Sequence, residues 1–209
     1  MSNLEERVQR LEDTLEIYNL QSRYQYYLTM YKGSRVEELF AKKTRVIVEM
    51  NGGERWHGLE GVRRCFGSLD EVHATQPGRM GSIMALQPLI TFAEDGKTAN
   101  GQWFLIGPAV LPTRNDAKDE EHLEAMWMFG RYNIDYVKED GVWLFKRFGV
   151  ELHFLSSVAK GWVDVPFPFG VRTFESEEGT KPEGKATFPH LYRPGGPNDY
   201  GPAPPEAKR

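Results

Sequence analysis

Glu151 and His153 have the side-chain types that acid–base chemistry requires, and they lie two positions apart in a segment of alternating apolar and polar residues. In a β-strand this spacing places both side chains on one face. A carboxylate beside an imidazole orients the ring and raises its pKa toward the range of a general base. A strand face exposed to water or to another subunit would carry the same two residues, so the sequence leaves both interpretations open.

Tyr31 and Lys32, at the end of a predicted N-terminal helix, are the other two candidate catalytic residues. A buried tyrosine keeps a hydroxyl that donates a hydrogen bond to a substrate oxygen. Lys32 would act as a buried amine of lowered pKa or as a positive charge beside a developing oxyanion. The alternative for Lys32 is a solvated cation, which the helix dipole favours at a C-terminus.

A further set of residues is suited to holding a substrate, namely Tyr24, Tyr27, His57, His73, Arg79, Trp103, Arg131 and Phe148. Their rings and cationic groups fit a pocket for an aromatic ligand with oxygen-bearing substituents. The same residue types have ordinary structural uses, because a tyrosine stripe on a helix is often core and strand arginines pair across a sheet surface.

The motifs of metal, nucleotide and serine-hydrolase sites are missing from the sequence. The five histidines form no HxH or HExxH cluster, and the single cysteine, Cys65, has no CxxC partner. Neither a GxGxxG phosphate loop nor a GxSxG elbow is present. The sequence therefore predicts a protein that uses no metal and no cofactor.

A predicted β-hairpin carries most of these candidates. Apolar and polar residues alternate on both sides of Glu139-Asp140-Gly141, where the glycine supplies the positive φ of a tight turn. A strict period of two predicts one face of the second strand with Trp143, Phe145, Arg147, Gly149, Glu151 and His153, and the other with Leu144, Lys146, Phe148, Val150, Leu152 and Phe154.

The N-terminal helix has a heptad-like row of apolar residues with spacings 4, 3, 4 and 3, formed by Leu4, Val8, Leu11, Leu15 and Tyr18. This row packs either on its own domain or on a partner subunit. The helix is expected to continue to Tyr31 and to end with Gly33 at the C′ position. Shorter helices, short strands and two long hairpins follow, so the order predicts an α+β fold in which helices cover one face of a bent antiparallel sheet.

Composition limits the partners of the chain. Its 209 residues carry a net charge of −4 with a pI of about 5.8, and no basic run suits a nucleic acid. No segment approaches the roughly 18 uncharged apolar residues of a membrane span, and the charged N-terminus does not resemble a signal peptide. With a lone cysteine, these features predict a cytoplasmic protein that binds neither nucleic acid nor membrane.

The chain divides by composition into a domain and a tail. Residues 1–162 form the predicted domain, with residues 1–18 as a possible extension of the helix seam. Residues 163–209 contain nine of the thirteen prolines and no periodic pattern. Aromatic residues scattered through this tail predict that it packs on the domain or on a neighbouring subunit.

Four segments together resemble the SnoaL-like branch of the nuclear-transport-factor-two-like superfamily: RYQYYLTMYKGSRVEELFA, RWHGLEGVRRCF, GKTANGQWFLIGP and FGRYNIDYVKEDGVWLFKR. The resemblance implies a cone-shaped curved antiparallel sheet covered by three N-terminal helices, here with a Pro-rich C-terminal extension. Members include scytalone dehydratase, bile-acid dehydratase, ketosteroid isomerase and polyketide cyclases, most of which perform acid–base chemistry without a cofactor, while other members only bind ligands or partners.

When the functional residues of the family are matched to this sequence, the family's pocket tyrosine corresponds to Tyr31. The acidic residue that often follows it is replaced by Lys32, and the usual pocket histidine is absent near Ile83 and Met84. The dehydratase Asp–His pair is thus not preserved in its usual places.

The tail segment TFPHLYRPGGP resembles a sub-branch found in bacterial catabolism of aromatic compounds. That sub-branch includes lyases that convert lignin-derived diarylpropane diols to stilbenes and release formaldehyde. The resemblance implies a cofactor-independent lyase for a small hydroxylated aromatic substrate. Alternatives are a dehydratase or isomerase of a polycyclic or polyketide substrate, and a non-catalytic ligand-binding cone. In each case a homo-oligomer, dimer or trimer, is expected.

Overall fold

The computed structural model describes residues 3–50, 54–67, 69–70, 78–112, 123–166, 183–184, 192 and 195–196. The helices are α1 (Leu4–Thr29), α2 (Gly33–Val36) with a 3₁₀ turn (Glu37–Leu39), and α3 (Gly58–Phe66). The strands are β1 (Ile47–Met50), β2 (Glu54–His57), β3 (Met80–Gly81), β4 (Met84–Phe92), β5 (Thr98–Pro112), β6 (Leu123–Glu139) and β7 (Val142–Ser157).

The strands form a seven-stranded, strongly curled sheet in the order β2-β1-β7-β6-β5-β3, with β4 also paired to β5. The predicted long hairpin is present as β6 and β7. The sheet is mixed rather than antiparallel throughout, because β1 runs parallel to β7 from Ile47 opposite Arg147 to Met50 opposite Val150. Three helices cover one face of this half-barrel, which confirms the predicted α+β cone.

Two β-bulges in β7 make the strict period-two assignment of its faces wrong. Relative to β6, β7 has one extra residue at Lys146 and another at His153. Each extra residue shifts the alternation by one position. Phe145 and Phe148 were predicted on opposite faces, yet both lie on the helix side with ring centroids 5.0 Å apart.

Aromatic side chains fill the space between the helices and the sheet. Tyr24 of α1 is 2% exposed and lies 4.5 Å from the ring of Phe148 and 5.9 Å from that of Tyr132. Phe40 and Phe66 pack at the edge of the same cluster. Burying such rings supplies about 25 cal/mol per Å² of apolar surface, so this cluster is a main source of stability.

Helix α1 begins with a capping box between Asn3 and Glu6 and is fixed to the sheet by a buried carboxylate. Asp13 accepts hydrogen bonds from Lys138 Nζ at 2.6 Å and from Trp143 Nε1 at 2.9 Å. Burial raises the pKa of Asp13, but these hydrogen bonds outweigh burial and leave the pKa below its usual value. The carboxylate is therefore ionised and holds α1 to the β6–β7 hairpin.

Most of the heptad-like row of α1 does not pack on its own domain, so that alternative is wrong for its first four residues, whereas the Tyr18 ring contacts Trp103 with centroids 5.2 Å apart. Its side chains are exposed by 72%, 44%, 71%, 62% and 40% at Leu4, Val8, Leu11, Leu15 and Tyr18. The buried face of α1 carries Asp13, Ile17, Leu20, Gln21 and Tyr24 instead.

The predicted C′ position of α1 is also wrong. The residue with positive φ is Tyr31, at 53°, and the Lys32 amide donates to the carbonyl of Tyr27 at 2.7 Å, as in a Schellman motif. Gly33 instead begins α2 and lies against α3, where a Cβ atom would come within 1.9 Å of the Phe66 carbonyl oxygen. Gly33 is therefore required by close packing and not by a left-handed backbone.

The described part of the tail contacts open strand edges. The amide of Arg55 in β2 donates to the carbonyl of Gly184, and the Tyr192 amide donates to the carbonyl of His153. The amide of Leu155 donates to the carbonyl of Pro166. These bonds satisfy backbone groups of β2 and β7 that would otherwise have no strand beside them.

Replacing Gly33 with alanine is expected to lower the free energy of unfolding by about 2 kcal/mol or more, because the new methyl group displaces α2 from α3. Chemical denaturation followed by circular dichroism measures this change. Gly81→Ala is the matched control, since no atom lies within 4 Å of the place its Cβ would occupy and its φ is not positive. Equal effects of the two substitutions would contradict the close-packing role of Gly33.

Candidate functional site

Tyr31 lies where α1 ends and β3 begins, a region that we call the mouth of the cone. Its half-buried phenol oxygen accepts a hydrogen bond from the backbone of Gly81 and lies in the field of Arg79. Burial raises the pKa of Tyr31 and outweighs the lowering effects of Arg79 and Gly81. The phenol is therefore protonated at neutral pH and able to donate a proton or a hydrogen bond.

The left-handed backbone of Tyr31 is a second notable feature of the mouth. Glycine is the usual residue at such a helix end, because any Cβ makes this conformation unfavourable by about 1 kcal/mol. Residues held in disfavoured backbone conformations cluster at functional sites. The strain makes Tyr31 the strongest single candidate among the residues at the mouth.

The neighbouring candidate Lys32 is exposed, so the buried-amine interpretation is wrong. It lies near Asp70, whose carboxylate accepts a hydrogen bond from the Ser34 amide at 2.9 Å. Burial raises the pKa of Asp70, but the Ser34 bonds and the charge of Lys32 outweigh it and lower the pKa. Lys32 thus contributes a solvated positive charge at the mouth. His73 falls outside the described residues.

Polar groups lie deeper in the cone, beneath α1. Gln21 is 1% exposed, and among the described residues neither of its side-chain amide atoms has a hydrogen-bond partner. Gln25 donates from Nε2 to the Tyr132 hydroxyl at 3.2 Å, while its Oε1 is buried without a partner in the described part of the chain. Burial raises the pKa of Tyr24 and of Tyr132, so both phenols are neutral donors.

These glutamines were missed by the sequence analysis. Gln21 and Gln25 are four residues apart, on the buried side of α1 that also includes Ile17 and Tyr24. A polar residue within the apolar stripe of a helix was the available signal. A buried amide without a partner costs about 1–3 kcal/mol, so such groups call for an explanation, and a polar ligand supplies one.

Three other predicted binding residues have structural contacts. Trp103 donates from Nε1 to the Tyr136 hydroxyl at 2.9 Å. Phe148 belongs to the buried aromatic cluster. The Tyr27 ring lies 4.6 Å from the Arg35 guanidinium carbon. All three have packing contacts in the cone, and Tyr27 is the nearest of them in sequence to Tyr31.

Glu151 and His153 share one face of β7, as predicted, but it is the face opposite the helices. Glu151 is paired with Arg131 across the strands, 3.8 Å apart at Oε2 and Nη2. The His153 ring contacts Phe129 on that same outer face, with centroids 5.4 Å apart. The crevice beside Glu151 and Arg131 is too narrow to admit a water molecule. Neither residue lines the interior of the cone.

The outer face continues as a network of buried charges. Glu49 of β1 accepts hydrogen bonds from Arg55 Nε at 2.9 Å and Nη2 at 2.7 Å, and it also pairs with Arg147. Glu49 is only 3% exposed, so removing either positive partner would leave a costly buried charge. The predicted residue His57 is half-buried on β2 opposite Ile47, and its Nδ1 has no hydrogen-bond partner among the described residues.

Within the described segments, no three histidine, cysteine, aspartate or glutamate side chains come together as metal ligands. None of the helices in those segments has both the length and the apolar character needed to cross a membrane.

Three helices packed against a strongly curled mixed sheet define the nuclear-transport-factor-two-like cone fold. The family model described as a SnoaL-like domain matches residues 9–149, and the chain belongs to this family. None of the curated proteins matches this sequence.

Solved structures with the same fold share little sequence with the chain. A Novosphingobium aromaticivorans protein with the provisional name scytalone dehydratase is 18% identical, with a TM-score of 0.57, covering 72% of this chain and 91% of its own. Hexachlorocyclohexane dehydrochlorinase LinA-type3 from Novosphingobium barchaimii is 17% identical, with a TM-score of 0.55 and coverages of 73% and 94%. A Mycobacterium tuberculosis protein of unknown function is 18% identical, with a TM-score of 0.53 and coverages of 79% and 83%.

The free energy of unfolding of Tyr31→Gly is expected to exceed that of Tyr31→Ala by about 1 kcal/mol. Both substitutions remove the phenol, but only alanine keeps a Cβ in the left-handed backbone conformation. Met30, with φ of −88°, is the matched control. There the order should reverse, with alanine the more stable by about 0.5–1 kcal/mol. Thermal unfolding of the four variants measures both differences. The same order at both positions would contradict the assigned backbone of Tyr31.

Gln21→Leu is expected to raise the free energy of unfolding of the ligand-free protein by about 1–3 kcal/mol, because it replaces unpaired buried amide atoms with apolar ones of similar volume. Gln9→Leu is the control, since Gln9 is exposed and bonds Asp13 at 3.2 Å, and it should bring no gain. Denaturant titration distinguishes the two. A loss of stability in Gln21→Leu would show that the amide is satisfied in the folded protein.

Proposed function

We propose that this protein is a cofactor-independent lyase that acts by acid–base chemistry on a hydroxylated aromatic substrate held in the cone. The observation that carries this proposal is Tyr31, a protonated phenol in a strained backbone at the mouth, beside Arg79. Such a group is suited to donating a proton to an oxygen that departs or becomes negative in the transition state. Arg79 would then stabilise the phenolate that remains.

The mouth of the cone and the polar groups beneath α1 favour an aromatic substrate with hydroxyl groups. Tyr24, Tyr132 and Phe148 are buried against one another, so the half-buried rings of Tyr27 and Tyr31 would supply the flat apolar contacts. The unpaired amide atoms of Gln21 and Gln25 offer one donor and two acceptors to a polar ligand. The names of two structural neighbours, a dehydratase and a dehydrochlorinase, denote eliminations, which supports a lyase over a hydrolase.

The proposed substrate is a lignin-derived diarylpropane diol, which would yield a stilbene and formaldehyde. A base removes the proton of the primary hydroxyl, and the carbon–carbon bond to that carbon breaks. Its electrons form the alkene and expel the benzylic hydroxyl, which leaves as water with a proton from Tyr31. One proton is taken up and one is given back, so the products are stilbene, formaldehyde and water.

We propose His73 or Lys32 as the base, because His73 is a substrate-binding candidate of the sequence analysis and Lys32, although exposed, lies at the mouth beside Tyr31. Glu151 and His153 lie on the outer face, and the proposed reaction does not use them. Lys32→Met and His73→Asn distinguish these two groups, because only the loss of the base should abolish turnover.

A second candidate is a ligand-binding protein without catalytic activity. The observation that favours it is that the buried polar groups beneath α1 are phenols and amides, while the carboxylates of Asp13 and of Asp70 at the mouth already accept hydrogen bonds, from Lys138 and Trp143 and from Ser34. A dehydratase or isomerase of a polycyclic or polyketide substrate is the alternative within the enzyme class. It would use the same Tyr31 and the same interior.

Chelator-treated protein is expected to convert a guaiacyl diarylpropane diol to stilbene and formaldehyde in equal amounts, followed by stilbene absorbance and by trapping of the aldehyde. Tyr31→Phe should lower kcat by about 100-fold, because it removes the proton donor. Tyr26→Phe is the matched control, since Tyr26 is 70% exposed on the same helix, and it should retain full activity.

A strict requirement for a metal would contradict the cofactor-free mechanism. Tight binding of the diol without turnover would favour the ligand-binding protein. Turnover that is unchanged in Tyr31→Phe would remove Tyr31 from the reaction.

A further inference from the structure

The first half of α1 presents a continuous apolar row to solvent. We call Leu4, Val8, Leu11, Leu15 and Tyr18 the seam. Leu4 and Leu11 are more than 70% exposed and Leu15 is 62% exposed, while Tyr18, at the end of the row, is 40% exposed and has one ring edge against Trp103. Isolated exposed apolar residues are ordinary on a protein surface, but a row at heptad spacing is typical of a helix with a partner helix.

The seam lies directly opposite the face of α1 that packs on the domain. Nine residues correspond to about 900°, or two and a half turns, along an α-helix. Val8 and Ile17 are nine residues apart, as are Leu11 and Leu20. Ile17 and Leu20 are buried at 0% and 4% exposure. The helix therefore has two apolar sides, of which the cone covers only one.

We propose that the seam pairs in parallel with the seam of a second copy of this chain, forming a short two-helix coiled coil between two cone domains. Each domain lies on the far side of its own helix, so the two domains do not collide when the seams meet. The helix pair then covers the exposed leucines of both copies.

The charges beside the seam specify a second copy in parallel orientation. With Leu11 at heptad position d, Arg7 occupies position g, and Glu5 and Glu12 occupy position e. In a parallel pair, position g of one helix faces position e of the next heptad on the other. Arg7 of each copy therefore faces Glu12 of the other, which gives two ion pairs. In an antiparallel pair, position g faces position g and position e faces position e. Arginine would then face arginine and glutamate would face glutamate, which is unfavourable.

The seam is short, but α1 does not have to form on association. An isolated helix of two heptads is unstable because nucleation is unfavourable. Here the opposite face is already packed on the domain, and Asp13 is bonded to Lys138 and Trp143. The seam ends where the next heptad position a is occupied by Ser22, whose hydroxyl donates to the Tyr18 carbonyl at 2.8 Å.

The proposal is tested by sedimentation equilibrium of the full chain over a range of concentrations. The wild type is expected to be a dimer at micromolar concentration. Leu11→Glu combined with Leu15→Glu should raise the Kd by at least about 100-fold, because four charges enter an apolar interface. Both leucines are exposed in the single chain, so the variant should unfold at the wild-type temperature when the two are compared at a concentration where the wild type is monomeric. Glu16→Lys and Arg23→Glu are controls at exposed positions of α1 outside the seam.

Charge exchange tests the orientation. Arg7→Glu alone and Glu12→Arg alone should each raise the Kd by about tenfold, because each converts two attractive pairs into two repulsive ones. The double exchange should restore the wild-type Kd. An antiparallel pair would instead be left with like charges by the double exchange.

Several outcomes would overturn the proposal. A wild type that is monomeric at about 100 μM would contradict the pairing of the seams. A dimer whose Kd is unchanged in the Leu11→Glu, Leu15→Glu variant would show that the contact is on another face. Three copies per assembly would contradict a two-helix seam. Failure of the double exchange to restore the Kd would contradict the parallel arrangement.

Discussion

The bending of β7 at its two bulges is the constraint on which the rest of the structure depends. The extra residue at Lys146 brings Phe145 and Phe148 to the same side, where both pack around Tyr24. The extra residue at His153 brings Phe154 to the outer face as well, where its ring lies 5.8 Å from that of Phe129. Without these two shifts, the long hairpin could not follow the curve of the cone while keeping its aromatic side chains against α1.

The outer face shows why charged residues interrupt the alternation of the hairpin. Glu49 requires Arg55 and Arg147 beside it because a buried carboxylate is costly without charged partners. A Cβ at Gly149 would come within 2.9 Å of the Asn133 carbonyl oxygen, so glycine at this position allows the close approach of β6 beside the network. This network explains Glu49 and Arg147 through structure, without a reaction.

Three parts of helix α1, its buried side, its C-terminal end and its exposed side, have different roles. Its buried side supplies Tyr24 to the core and places Gln21 and Gln25 beneath the helix. Its C-terminal end holds Tyr31 in a strained backbone at the mouth. Its exposed side carries the seam. One helix thus connects the aromatic core, the proposed site of proton donation and the proposed contact with a second copy.

The order of the elements was largely predictable from local patterns. The hairpin around Gly141 and the heptad-like row of α1 are each encoded within a few turns or residues. The family relationship was also recognisable, because it depends on the order of short motifs. Tyr31 was a candidate on this basis before its backbone conformation was known.

The tertiary structure alone decided which side chains meet. A bulge depends on the register between two strands, so the faces of Glu151 and His153 relative to the helices could not follow from the alternation of β7 itself. Gly33 and Tyr31 exchanged their expected roles because the close approach of α2 to α3 requires the glycine at position 33. The exposure of the seam and the burial of Gln21 likewise depend on where α1 lies on the sheet. The sequence by itself determined local conformation, because that conformation arises from neighbouring residues, whereas burial and contact arise from residues far apart in the chain.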